Sequence, residues 1–520
     1  MLKPIRNRSS FFRPHGTDDS VTMVKFGVLL IVFAYAFVLL VAVRPDVSWV
    51  HPEIQLIDNF VIHTNRPWYE LIFNWSELEF APRHTRPLSS LVQVIDSKIR
   101  LALPAEIYIY SQSWSVTWIL SIFVNPFLFY RFLSLFIKKK SFCLFGAAIY
   151  LLSPTTLSSI VMFFRPAKVL AQFFLLMSIL ISASIAKSQN VAFKEFLKLG
   201  FIVFLGLISD EAGWFAIFAV FTYHLFFDKK NLKPVFLVLT GSAILALLIY
   251  LVVMPTISTM VWGDKQVLGD YFILKPILQS ENIYLTLWAL FLECGNAFLI
   301  HMQIFTRDIF ALFPFNTHPT SVWKFVFVLS AVLLVLWVVA CLMGLRNLPS
   351  KTICWLATCA VSGLILHSLL MTVVGNKLFG PYYYGAYITP FMIAVFIGIS
   401  CDGFSDLSKK FSHVGTFFSL SLTFTVITLA NTYLATNLAI KNIHFYPPGS
   451  TAYRQIFANT NNRFNINQVF TGQEKYIRDF IRSRGICTVL PVEMLWLATR
   501  LQAVNGAGFP PGDKTMKVCR

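Results

Sequence analysis

Four groups of ionisable residues stand at the ends of apolar runs in this chain. Glu53 and Asp58 lie in a loop between the first two apolar stretches, and Arg86-Pro87-Leu88 closes the same loop. Arg165-Pro166 is followed by Lys168, and Asp210-Glu211 sits between two apolar runs. A guanidinium binds a phosphate through two parallel hydrogen bonds, and an ammonium adds a point charge. A carboxylate within reach of a hydroxyl takes its proton as that oxygen attacks. Carboxylates at a membrane boundary are costly against lipid, so they are expected to face a cavity. Plainer readings exist for three of the groups: snorkelling of Arg86, Arg165 and Lys168 to headgroups, and a hairpin tip with a helix N-cap for Asp210-Glu211.

The elements that must position these groups are membrane helices. Hydrophobic residues make up 56% of the 520 positions and charged residues only 13%, about half the charged share of an ordinary soluble domain. The mean hydropathy is +0.65. An all-α polytopic membrane protein is therefore expected. Apolar runs of crossing length, some of them short, predict about eleven transmembrane helices: 24–43, 108–137, 141–157, 169–186, 197–208, 213–227, 234–254, 324–345, 352–374, 384–400 and 414–438.

The domain organisation follows. Residues 1–23 form a basic cytoplasmic tail, and 24–438 the transmembrane domain. Within it, 44–107 is the first exoplasmic loop. Residues 255–322, where Glu293, Asn296 and His301 interrupt an apolar piece, are expected as an exoplasmic, interfacial or re-entrant stretch. The polar segment 439–520 forms a small exoplasmic end. Eleven crossings from a cytoplasmic N-terminus leave the C-terminus outside, and the loops then predicted to be cytoplasmic carry Lys or Arg.

The net charge of +18 does not indicate nucleic-acid binding, because Lys138-Lys139-Lys140, Lys229-Lys230 and Lys409-Lys410 fall between apolar runs. Of the eight cysteines, six lie in or beside apolar spans. Cys487 and Cys519 share the tail and are either a disulfide or two free thiols. Neither CxxC nor HExxH occurs. No Gly-rich nucleotide-binding loop is present, which argues against a soluble nucleotide-sugar donor.

The order of these elements resembles the GT-C superfamily of integral-membrane glycosyltransferases, nearest the protein O-mannosyltransferase branch and its bacterial relatives. The similarity rests on Trp49-Val50-His51-Pro52-Glu53, Arg86-Pro87-Leu88, Ser153-Pro154 with Arg165, Leu207-Ile208-Ser209-Asp210-Glu211 and Pro381-Tyr382-Tyr383-Tyr384, in order over residues 24–400. It departs at Pro52, where the family pattern has a second acid, and at Pro381, where it has Arg, with Lys377 nearby.

The resemblance implies an inverting transfer of one sugar from a polyprenyl-phosphate donor to a glycan, lipid or protein acceptor on the exoplasmic face. In that reading Glu53 is the base, with Asp58 in reserve, and Arg86, Arg165 and Lys168 hold the phosphate. Asp210 and Glu211 shape the acceptor or a divalent-metal environment. The setting expected is surface-polysaccharide modification at a bacterial inner membrane. A transporter or flippase for a lipid-linked saccharide is the alternative from another class, and a catalytically inactive scaffold of the same fold is a third.

Overall fold

The computed structural model describes residues 86–102, 116–153, 166–254, 283–309, 321–344, 351–373 and 385–410, with a few isolated positions beyond them. Among the described residues there are helices and turns and no strand. Helix α1 is Pro87–Ala102; α2 (Val116–Ile119) continues through a π-helical turn (Leu120–Val124) into α3 (Asn125–Leu133). There follow α4 (Lys140–Leu152), α5 (Ala167–Lys187), α6 (Phe193–Leu207), α7 (Phe215–Phe227) and α8 (Leu232–Leu248). The last four are α9 (Ile283–Ile309), α10 (Ser321–Gly344), α11 (Lys351–Val373) and α12 (Thr389–Lys410).

Local chemistry sets several of these boundaries. Pro87 takes the first position of α1, where its missing N–H costs nothing. Ser153 ends α4 in an extended conformation, as the residue before a proline must.

From α5 to α8 successive helices alternate in direction, which defines two ends of the bundle. At one end Phe136, Phe227 and Trp355 meet, with ring centroids 5.6 to 6.0 Å apart. Lys138, Lys139, Lys140, Lys187, Lys229, Lys230 and Lys351 lie at helix boundaries on that side. At the other end the start of α5, the turn after α6 and the start of α12 come together. The Tyr250 hydroxyl donates to the Leu207 carbonyl at 3.0 Å there, so α6 and α8 finish side by side. Between the ends runs an aromatic core of Phe129, Phe132, Tyr150, Phe215, Trp355 and Phe391, all fully buried.

Helices Ala167–Lys187, Lys229–Val253, Ile283–Met302 and Lys351–Leu370 are long and apolar enough to cross a membrane. Helix α8 exposes Phe236, Leu237, Ile244 and Leu248, apolar side chains suited to lipid. Helix α5 carries Lys168 and Lys187 at its two ends, about 28 Å apart along the axis. That spacing matches the hydrocarbon thickness of a bilayer.

One element departs from the expectation. The piece within 255–322 expected to be interfacial or re-entrant is a single unbroken helix of 27 residues, α9. A helix closes its own backbone hydrogen bonds, so polar side chains need not interrupt it. Ala297, His301 and Phe305 fall on one buried stripe at four-residue spacing, while Glu293, one turn further along the same row, and Asn296 are exposed.

Candidate functional site

The turn between α6 and α7 is the foundation of the site. Gly213 packs flush on the end of α6: a Cβ there would lie 2.0 Å from the Gly206 carbonyl oxygen. Only glycine permits that approach. The fold-back leaves Asp210 capping the short 3-10 turn Glu211–Trp214, its Oδ1 accepting from the Ala212 N–H at 2.8 Å. The Leu88 N–H donates to the Ile208 carbonyl at 3.3 Å, which pins the start of α1 to the same turn. Arg86 is thereby held beside the acidic pair.

Lys168 lies in the first turn of α5. A cation is disfavoured there, because the helix N-terminus already carries partial positive charge. Asp210 resolves the conflict: Lys168 Nζ donates to its Oδ1 at 2.5 Å. Asp210 is wholly buried, and Lys168 keeps only 7% of its side chain exposed. Arg86 completes the group. Its Nε and Nη2 both donate to Glu211 Oε2, at 3.2 and 2.7 Å. Its Nε also lies 3.1 Å from Asp210 Oδ2, which accepts no hydrogen bond among the described residues because the Nε hydrogen is aimed at Glu211. Lys168 Nζ stands 3.9 Å from the same Glu211 oxygen.

Two cations and two carboxylates from three chain segments thus close on one another. Burying such charges is tolerable only because each is paired.

A neutral polar layer lies one turn deeper. Gln172, four residues along α5 from Lys168, donates to the Ala386 carbonyl at 2.6 Å and accepts from Asn125 Nδ2 at 3.4 Å. Asn125 also donates to the Val169 carbonyl at 3.1 Å. Tyr387, next to Ala386, is buried with its ring 5.4 Å from that of Phe215. His367 on α11 packs its ring 4.8 Å from His301 of α9 and 5.3 Å from Phe305. His301 Nδ1 is 3.0 Å from the Ser368 hydroxyl.

Arg86, Lys168, Asp210 and Glu211 are therefore brought into one cluster. Glu53, Asp58, Arg165, Cys487 and Cys519 lie outside the described residues, as do Pro52 and Pro381. Sequence reasoning passed over Gln172, Asn125, Tyr387 and His367, and took His301 only as an interruption of an apolar piece. For Gln172 a signal was present: with Lys168 it forms an i, i+4 polar pair on an otherwise apolar helix.

Chemically, the cluster offers a guanidinium fork and an ammonium for an anion, and carboxylates for a hydroxyl. Among the described residues no group of three or more His, Cys, Asp or Glu side chains is arranged to hold a metal ion. A cation at Asp210 and Glu211 would have to compete with Lys168 and Arg86. No protein-family model matches the chain, and no curated protein matches it.

Proposed function

We propose that this protein is a membrane glycosyltransferase of GT-C type. It transfers a sugar from a polyprenyl-phosphate donor to a glycan, lipid or protein acceptor on the exoplasmic face. The observation that supports this reading is the convergence of Arg86, Lys168, Asp210 and Glu211 at the end of the bundle opposite the lysine-rich boundaries. By the charge bias of membrane proteins, the lysine-rich end is cytoplasmic. The cluster then faces outward, where lipid-linked sugars are used without nucleotides.

In this account Arg86, Lys168 and Arg165 neutralise the phosphate as it leaves. A carboxylate of the first outer loop, Glu53 or Asp58, takes the proton of the acceptor hydroxyl. The acceptor oxygen attacks the anomeric carbon, and the sugar–phosphate C–O bond breaks with inversion. Asp210 orients the two cations, and Glu211 stands beside Arg86 on the open side of the cluster. About eleven crossings, a cytoplasmic N-terminus, an exoplasmic C-terminus and a bacterial inner membrane complete the proposal, with surface polysaccharide as the setting.

A transporter of lipid-linked saccharide is the second reading. It draws on His301 and His367, buried between α9 and α11 within the bundle, since ionisable groups inside a membrane commonly line a transport path. Membranes expressing the chain, supplied with a radiolabelled polyprenyl-phosphate sugar, separate the two. Label appearing on an acceptor supports the transferase. Lipid-linked label that crosses the bilayer of proteoliposomes without transfer supports the transporter and rejects the enzyme.

A further inference from the structure

We infer that Glu211 occupies the phosphate position of the site and is exchanged for the phosphate group of the ligand. This inference rests on the reading that Arg86 and Lys168 bind a lipid-linked phosphate. The two carboxylates of the cluster are not equivalent. Asp210 is wholly buried, caps a turn and accepts from Lys168. Glu211 keeps 40% of its side chain exposed and reaches Arg86 from the open side.

The contact geometry is that of a substitute. Both donors of the guanidinium edge converge on one oxygen, Oε2 of Glu211. A phosphate presents two oxygens and meets the same edge with two parallel bonds. The Lys168 ammonium, 3.9 Å from that oxygen, is placed to take a second hydrogen bond once a tetrahedral group replaces the planar one.

Charge balance points the same way. Of the four clustered residues, two are cationic and two anionic, so with Glu211 in place they sum to zero. With Glu211 withdrawn, these four residues lose one negative charge, which the incoming phosphate group replaces. When Glu211 leaves, Asp210 Oδ2, already 3.1 Å from Arg86 Nε, takes over as its counter-charge. The guanidinium keeps a partner throughout the exchange. Glu211 then competes with the ligand, so removing its charge must tighten phosphate binding. A group that held acceptor or metal in the phosphate complex would have no such effect.

The test is direct binding to the full chain in lipid nanodiscs, with farnesyl phosphate and inorganic phosphate as separate probes. For Glu211→Gln and Glu211→Ala the dissociation constant for farnesyl phosphate is expected to fall by about tenfold, the scale of one charge-assisted hydrogen bond. For Arg86→Ala it is expected to rise beyond measurement. A gain confined to farnesyl phosphate identifies a prenyl-linked ligand; an equal gain with inorganic phosphate keeps the exchange and assigns the site to free phosphate. An unchanged or weakened constant in both Glu211 variants, with unfolding temperatures like wild type, overturns the inference. Binding is read without any transfer. A chain that binds more tightly but transfers no sugar therefore retains the exchange while rejecting the enzyme.

Discussion

Lys168 and Asp210 form a buried ion pair, Nζ to Oδ1 at 2.5 Å, that joins the first turn of α5 to the turn between α6 and α7. The pair joins a cation at a helix N-terminus, where it is disfavoured, to a carboxylate buried away from solvent. Breaking such a pair on one side leaves an uncompensated charge and costs about 3–5 kcal/mol, whereas replacing both partners with apolar groups is often nearly neutral. Lys168→Met alone is therefore expected to lower the unfolding temperature in detergent markedly. The double variant Lys168→Met with Asp210→Leu should recover most of the loss. Additive losses in the double variant would mean that the two side chains do not act as a unit.

The fold-back that places Asp210 depends on Gly213. Its Cβ position is 2.0 Å from the Gly206 carbonyl oxygen and 2.5 Å from the carbonyl carbon, and both are backbone atoms that no side-chain rotation can move aside. Gly213→Ala should destabilise the protein by about 1–3 kcal/mol through overpacking. Gly241, whose Cβ would meet nothing within 4 Å, provides the control, and Gly241→Ala should leave the melting curve in place. Equal behaviour of the two variants would contradict this packing.

How much of this was legible in the chain depends on the range of the interactions. Apolar runs revealed most of the helices, because membrane helices satisfy their backbone locally. Arg86, Lys168, Asp210 and Glu211 stood out as charges at the ends of such runs, and that much needs no tertiary information. Their mutual pairing did not follow: Arg86 and Glu211 are 125 residues apart, and no local pattern fixes which cation meets which acid. The continuity of α9 was hidden for the opposite reason. His301 read as an interruption, yet in the fold it lies on the buried stripe of an unbroken helix beside Ser368.

Chain geometry also constrains topology around α9. Helix α8 ends at the cluster's side of the bundle, next to Leu207. Helix α11 begins at the lysine-rich end, with Trp355 against Phe136 and Phe227. Gly344 and Lys351 are joined by a link that reaches at most about 25 Å, while α10 has 24 residues and spans about 36 Å. Helix α10 must therefore start near the cluster's side, and the segment from α8 to α10 begins and ends on one face. Single cysteines at Thr256 and Ser321, in a background without other cysteines, should label from the same side of intact vesicles. Labelling from opposite sides would contradict the arrangement.

The central claim is that Arg86 holds the phosphate of a lipid-linked sugar while that sugar is transferred. Its most direct test is the initial rate of transfer from a radiolabelled polyprenyl-phosphate sugar, in membranes holding equal amounts of wild type, Arg86→Ala and Arg86→Lys. Wild type is expected to transfer robustly, and Arg86→Ala to lose about a hundredfold or more. Arg86→Lys should recover part of the rate, since it keeps the charge but loses the two-point contact. Transfer by Arg86→Ala at the wild-type rate would contradict the account.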